Sequence, residues 1–215
     1  MKETCISERV GRMERDEVTS FLEQPGRDPE LFKLADEVRS LWCGEDVQLR
    51  GIIEFSNHCC RNCVYCGLRR ANTELDRFRM GPEEIVNLAA EIAGLGIGTI
   101  VLQSGDDFAY DRSTLCRVVK HIKRENNVAV TLSVGERPFD DYRAFRDAGA
   151  DRYLLKHETA SPELYARLHP GQSLKERLGI LRFLRRLGYQ TGAGSIVGLP
   201  GQTVEDLCDD VLLLG

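Results

Sequence analysis

Four of the chain's eight cysteines fall in one stretch, Cys59-Cys60-Arg61-Asn62-Cys63-Val64-Tyr65-Cys66. Three thiolates in one short loop can grip an iron–sulfur cluster. With four irons and three protein ligands, one iron stays open for a small molecule. Two ligand sets fit the spacing: Cys59, Cys63 and Cys66, which skips Cys60, or Cys60, Cys63 and Cys66, which skips Cys59. A structural zinc knuckle needs four ligands in two paired groups, and no second pair follows downstream. A redox dithiol at Cys63 and Cys66 leaves the third cysteine unexplained. The spacing favours a three-thiolate iron–sulfur site.

The elements that must position this loop follow from residue patterning. A β-type apolar run, Gly51–Ser56, leads into it. Four more such runs follow at Thr99–Ser104, Ala129–Val134, Arg152–His157 and Gln190–Val197. Helical periodicity spans Pro82–Ala93, Arg112–Arg124, Phe139–Ala148, Leu174–Leu187 and Val204–Leu214. Pro82-Glu83-Glu84 and Pro162-Glu163 carry the proline and acids of a first turn. Ser173-Leu174-Lys175-Glu176 reads as a capping box. Gly94, Gly96, Gly149 and Gly188 stand where helices should stop. Repeated β-then-α units predict a parallel sheet with right-handed crossovers, buried on both faces. The expectation is an α/β fold, a TIM-type (β/α) barrel, with an open doubly wound sheet as the alternative. Five units fall short of eight, which predicts a partial barrel: a fragment truncated at the C-terminus, or an open half-barrel with an uncovered edge.

Before the sheet, residues 1–49 read as a helical extension. Asp16–Leu22 is a short helix candidate. Asp28 is placed to cap a second helix that opens on Pro29, carries Leu31, Leu34, Ala35, Val38 and Leu41 at helical spacing, and stops at Gly44. Residues 50–215 form the barrel core.

Composition excludes several classes. The net charge of -5 is spread over mixed-sign helices, which argues against a basic nucleic-acid surface. No apolar run approaches the ~18 residues of a membrane span, and the first residues lack a signal-peptide core. The expectation is a soluble, intracellular (cytoplasmic) protein with no membrane and no nucleic-acid partner. In a reducing compartment eight cysteines suit metal ligation or redox work better than disulfides. Cys5, Cys43, Cys116 and Cys208 are read as packing residues.

Functional residues of parallel α/β folds cluster at the C-terminal strand ends. Here those ends read Phe55-Ser56-Asn57, Gln103-Ser104-Gly105-Asp106-Asp107, Leu132-Ser133-Val134-Gly135-Glu136, Lys156-His157-Glu158-Thr159 and Gly194-Ser195, and all five are expected on one rim. His157 alternates with Lys156 and Glu158 and should point toward the outer helices. His58 is either a cluster neighbour or a solvent-facing loop residue. His121 and His169 are expected at the surface, as is the pair Arg69-Arg70.

Cys59-x3-Cys63-x-Tyr65-Cys66 resembles the signature of the radical S-adenosylmethionine (SAM) superfamily. Further segments resemble one family within it, the [FeFe]-hydrogenase maturase HydE: Phe55-Ser56-Asn57, Cys66-Gly67-Leu68-Arg69-Arg70, Thr99–Gly105, Ala150–Leu155, His157-Glu158-Thr159, Gly192-Ala193-Gly194-Ser195 and Gly198–Thr203. The resemblance runs from about Pro29 onward. It selects Cys59, Cys63 and Cys66 as ligands of a [4Fe-4S] cluster and leaves Cys60 an extra thiol. It implies that SAM binds the open iron and is reductively cleaved to methionine and a 5′-deoxyadenosyl radical.

The resemblance also implies residue roles. Tyr65 would stack near the adenine. Ser104, on a Gln-Ser-Gly turn in place of the more usual Gly-Gly-Glu, would sit near the SAM amino group or the substrate. Ser133 would hydrogen-bond the ribose or methionine part, and Glu158 a ribose hydroxyl or the amino group. Arg177 would pair with the SAM carboxylate. Lys156 stands where relatives carry arginine. On residue type alone, Arg177 could be a helix-surface charge, Glu158 and Lys156 an ion pair, and Ser133 a partner for backbone groups. The implied activity is help in building the hydrogenase diiron centre, on a small-molecule or iron-complex substrate derived from cysteine. Other maturation proteins and an electron donor such as ferredoxin or flavodoxin are the implied partners. The alternatives are an enzyme of the biotin synthase and methylornithine synthase (PylB-like) group, or a truncated, non-catalytic cluster-binding fragment.

Overall fold

The computed structural model describes residues 14–214; Cys5 lies outside them. In chain order the elements are α1 (Arg15–Glu23), a 3-10 turn (Pro25–Arg27), α2 (Asp28–Cys43), β1 (Gly51–Ser56), α3 (Pro82–Gly94), β2 (Thr99–Ser104), α4 (Arg112–Glu125), β3 (Ala129–Ser133), α5 (Phe139–Asp147), β4 (Arg152–Leu154), α6 (Pro162–Leu168), α7 (Leu174–Arg186), β5 (Gln190–Gly192) and α8 (Val204–Leu214). The five strands form one open, parallel sheet in sequential order. This is the α/β arrangement of a partial barrel.

The chain divides into two compact units. One comprises residues 49–157 and 165–194, and holds the sheet. The other comprises 1–48, 158–164 and 195–215.

In the sheet unit, alternation along the strands decides the core. Ile53 and Phe55 of β1, Ile100 and Leu102 of β2, Val130 and Leu132 of β3, and Tyr153 of β4 are buried in one cluster. They meet Ile85 and Ala89 of α3, Leu115, Val119 and Ile122 of α4, Tyr142 and Phe145 of α5, and Leu184 of α7. Each valine, leucine, isoleucine or phenylalanine among them stabilises the fold by about 1.5–3 kcal/mol on full burial. The opposite strand face is mixed rather than the apolar layer expected from the sequence: it carries Glu54, Gln103, Arg152 and the 58%-exposed Ile52 beside buried Val101 and Thr131. Gln103 donates to Glu54 across β1 and β2 at 3.2 Å.

Helix starts follow the local signals. Asp111 caps α4 by accepting from the Thr114 N–H at 2.7 Å. Ser173 caps α7 by accepting from the Glu176 N–H at 3.4 Å. Asp28 is not the cap of α2; it is the first helical residue, and its charge sits in the positive first turn instead. Gly149 closes α5 with φ 105°, a conformation closed to other residues without strain.

Two strands are shorter than expected. β4 ends at Leu154 and β5 at Gly192, after which the Leu155 N–H donates to the Gly192 carbonyl at 2.9 Å. Beyond them, Glu158, with φ 69°, meets Ser195 only in an isolated parallel bridge. His157 is fully buried.

In the other unit, α2 is helical as the spacing predicted, yet none of its residues is buried; Phe32 and Trp42 are 66% and 69% exposed. Cys43 is exposed rather than packed, whereas Cys208 is fully buried, with its sulfur near the Arg15 carbonyl. Glu158 lies in this unit, where its carbonyl accepts from the Ile196 N–H at 2.9 Å. Gln202 folds the Gly198–Gln202 loop back on itself, accepting from the Gly198 N–H at 2.8 Å and donating to the Ile196 carbonyl at 2.8 Å.

Back in the sheet unit, Asp107 fastens the loop after β2. Its carboxylate accepts from Ser56 Oγ at 2.6 Å and from Arg79 at 2.7 and 3.0 Å. Burial works against the charge of Asp107, but the Arg79 and Ser56 hydrogen bonds outweigh it and hold the carboxyl below its ordinary range. That stabilisation is complete above the ordinary carboxylate range, about pH 4, and is lost as acid titrates the folded carboxyl. Asp107→Asn is expected to cost about 2–3 kcal/mol at pH 7, half of the pair being exposed, and to flatten the acid limb of a stability-versus-pH curve. An unchanged acid limb would sink this assignment.

Candidate iron–sulfur site

The cysteine loop leaves β1 and is clamped from behind. Arg77 donates to four backbone carbonyls: Asn57 at 2.5 Å, Leu68 at 3.0 Å, Arg69 at 2.9 Å and Asn72 at 3.1 Å. A buried carbonyl without a partner is costly, so one guanidinium fixes both ends of the loop. Arg69, expected at the surface, donates to the Cys66 carbonyl at 3.1 Å and belongs to the same clamp.

The cysteines differ in setting. Cys59 is half-buried, and its sulfur accepts from the N–H groups of Arg61 and Asp106, both at 3.4 Å. Cys63 is also half-buried; Gln172 Nε2 donates to its sulfur at 3.4 Å, and His169 Nδ1 stands 3.2 Å away. Cys66 is intermediate in exposure, while Cys60 is exposed and its N–H donates to the Asp106 carbonyl at 3.1 Å. Burial pushes the thiols of Cys59 and Cys63 up. Metal binding to them would therefore release protons.

Gly105 shapes the contact with β2. A side chain there would put its Cβ 2.6 Å from the Cys59 Cβ and still closer to the His58 carbonyl. The Cys59 loop thus rests directly on the β2 end. Gly105→Ala is expected to push the loop away, costing about 1–3 kcal/mol by overpacking and lowering reconstituted iron content. Iron content equal to the parent's would count against the contact.

A charged belt runs along the strand ends. Arg61 donates to Asp106 at 2.7 Å and to Glu136 at 2.9 Å. Glu136 also pairs with Arg177 at 2.7 Å. Arg177 Nη1 donates to the Lys156 carbonyl at 3.1 Å, and Nη2 to Gln172 Oε1 at 3.1 Å. The belt therefore joins the Cys59 loop, the ends of β2 and β3, the segment after β4 and the start of α7. Arg177 is buried, not a helix-surface charge. Burial opposes its charge, but Glu136, Tyr165 and Asp106 together outweigh it and raise the affinity of the guanidinium for its proton.

The remaining expected site residues are placed as follows. Tyr65 is 40% exposed and lies edge-on to His169, ring centres 5.4 Å apart. The Ser104 hydroxyl donates to the Gly105 carbonyl at 2.8 Å. Ser133 ends β3 in register with Gln103. Lys156 is exposed and meets the belt through its backbone. His121 is exposed as expected. His169 overturns its surface expectation: it is 1% exposed, because α6 carries it inward against Tyr165 and Cys63. Its sequence context, a lone histidine ending a helix, gave no signal. Arg61, Arg77 and Gln172 were also missed. Asp106 and Glu136 were visible as strand-end residues without roles.

These surroundings fit a cluster. Two half-buried sulfurs face N–H donors, which suits sulfurs that carry negative charge, and a glycine leaves room for the first of them. Among the described residues no three of His, Cys, Asp and Glu stand close enough to share a single metal ion. A cluster makes no such demand, since each thiolate binds a different iron.

The sequence profile of the radical SAM superfamily matches residues 53–214. The chain belongs to this superfamily. Within it, the chain is 56% identical over 184 residues to the [FeFe] hydrogenase maturase subunit HydE of Thermotoga maritima, which covers 86% of this chain and 53% of that protein. It is 31% identical to 3-methylornithine synthase of Methanosarcina acetivorans, over 81% of this chain and 50% of the relative. The chain thus spans about half the length of these curated relatives. Among solved structures, methylornithine synthase (PylB) superposes with a TM-score of 0.89 at 26% identity, covering 98% of this chain and 64% of that one. The maturase HydG from Carboxydothermus hydrogenoformans gives 0.82 at 25% identity, covering 97% and 52%. Both likenesses agree with a radical SAM barrel whose strands follow one another in sequence. No helix among the described residues is long and apolar enough to cross a membrane.

Proposed function

We propose that this chain is the SAM-cleaving part of a HydE-like maturase, with a [4Fe-4S] cluster on Cys59, Cys63 and Cys66. The observation that carries this reading is the pair of half-buried sulfurs, each facing N–H donors, in a chain 56% identical to HydE. When bound, cluster and SAM supply a reductively generated 5′-deoxyadenosyl radical. The chain's own residues bind, orient and exclude water. Tyr65, Ser104 and Ser133 stand in the cysteine-loop unit to hold the adenine, amino and ribose portions. Arg177 presents a charged, donor-rich group to a carboxylate, and Lys156 adds a second cation to the same rim. Glu158 is assigned to the ribose or amino group through the superfamily resemblance. The largely buried Glu136–Arg177 pair puts that guanidinium where charge-assisted hydrogen bonds are strengthened by exclusion of water.

The proposed setting is the cytoplasm, with an electron from a ferredoxin or flavodoxin and an iron complex or small molecule as substrate for [FeFe]-hydrogenase maturation. The test is anaerobic reconstitution with iron and sulfide, then reduction with dithionite in the presence of SAM. Formation of 5′-deoxyadenosine and methionine is expected. A reconstituted cluster with no 5′-deoxyadenosine would leave only cluster binding. The superposition on PylB favours one second reading, a methylornithine synthase-like enzyme. Appearance of 3-methylornithine when the loaded enzyme is offered amino acids would decide for it.

A further inference from the structure

Cys63 receives its sulfur contacts from residues more than a hundred positions downstream, His169 and Gln172. The orientation of the Gln172 amide follows from its other contact. Arg177 donates to Gln172 Oε1 at 3.1 Å, and a guanidinium can only donate. The amide NH2 is therefore the group turned to sulfur, a choice made by chemistry rather than by electron count. The tautomer of His169 follows from the sulfur. A metal-bound thiolate only accepts, so Nδ1 carries the proton when iron is bound. The ring is held in place, stacked on Tyr165 with centres 4.2 Å apart and edge-on to Tyr65. Its Nε2 is buried with no hydrogen-bond partner among the described residues, so nothing on that side competes for the proton.

We propose that Gln172 and His169 are positioning residues that donate two hydrogen bonds to the Cys63 sulfur and thereby raise the reduction potential of the cluster. The inference rests on the cluster reading above. Reduction adds negative charge to the cluster, and donors aimed at a ligand sulfur stabilise the reduced form more than the oxidised one. At Cys59 the donors are backbone N–H groups. At Cys63 they are side chains, so the tuning there is open to mutation. Because Arg177 holds Gln172, the same guanidinium that is proposed to meet the SAM carboxylate also fixes one of the two donors.

The test is an EPR-monitored redox titration of the anaerobically reconstituted parent, Gln172→Leu, His169→Phe and the double variant. Gln172 is only partly buried, so leucine fits, and phenylalanine keeps the stack on Tyr165. Compared at matched iron and sulfide content, the midpoint is expected at more negative potential in each single variant and further in the double. Gln172→Glu, which turns an acceptor toward the sulfur, should shift it further than Gln172→Leu. Unchanged midpoints at equal cluster content would overturn the inference alone. If His169→Phe does not fold, an unchanged midpoint in Gln172→Leu and Gln172→Glu overturns it. A parent protein that takes up no cluster would overturn the cluster reading and this inference together.

Discussion

Cys63→Ala is expected to abolish cluster uptake. Anaerobically reconstituted protein should hold only a small fraction of the parent's iron and sulfide, lose the charge-transfer absorbance of the cluster, and yield no 5′-deoxyadenosine. Of the loop cysteines, Cys63 has the most side-chain support: Gln172 and His169 on its sulfur, and its own carbonyl accepting the Cys66 N–H at 3.1 Å. Loss of a residue that merely supports a metal ligand commonly costs 10- to 100-fold in affinity, so loss of the ligand should cost more than about 100-fold. Cys60→Ala is the matched control. Its side chain is exposed, and its link to the β2 end runs through backbone, so iron content should not change. If Cys60→Ala loses iron as Cys63→Ala does while Cys59→Ala keeps the parent's iron, the ligand set is Cys60, Cys63 and Cys66 and the Cys59 assignment fails.

Glu136→Ala is expected to be the most destabilising change at the rim outside the apolar core. Glu136 serves two cations, Arg61 at 2.9 Å and Arg177 at 2.7 Å, and its side chain is only 15% exposed. Arg61 would keep Asp106, but the Arg177 side chain, 10% exposed, would lose its paired carboxylate and keep uncharged acceptors such as the Lys156 carbonyl and Gln172 Oε1. Removing one partner of a buried pair commonly costs about 3–5 kcal/mol because the other charge stays buried. Glu136→Gln keeps an acceptor and should cost less. Urea unfolding of the cluster-free protein measures both, separating the structural effect from any effect on the cofactor. A loss below about 1 kcal/mol in Glu136→Ala would show that solvent already screens the pair, as it does for surface ion pairs.

How far the sequence reached depended on whether a feature was local. The cysteine spacing, the Ser173 cap, the strand-then-helix rhythm and the alternation of Ile53 and Phe55 are properties of neighbouring residues, so they could be read directly. The ends of β4 and β5 could not, because a strand ends where its partner, distant in the chain, stops offering hydrogen bonds. The mixed strand face was misread for a related reason. Apolar periodicity marks the face that must pack against helices, and it is silent about what the other face meets.

The sequence alone determined that four cysteines at cluster-ligand spacing stand in one loop after a parallel strand, because spacing within a loop is a short-range property of the chain. Only the tertiary structure decided what surrounds them. His169 and Gln172 reach Cys63, Asp106 reaches Cys59, and one carboxylate at Glu136 links Arg61 to Arg177. These partners lie tens to more than a hundred residues apart in the chain. Parallel strands deliver their C-terminal ends to one rim, and burial there makes each pairing strong enough to hold.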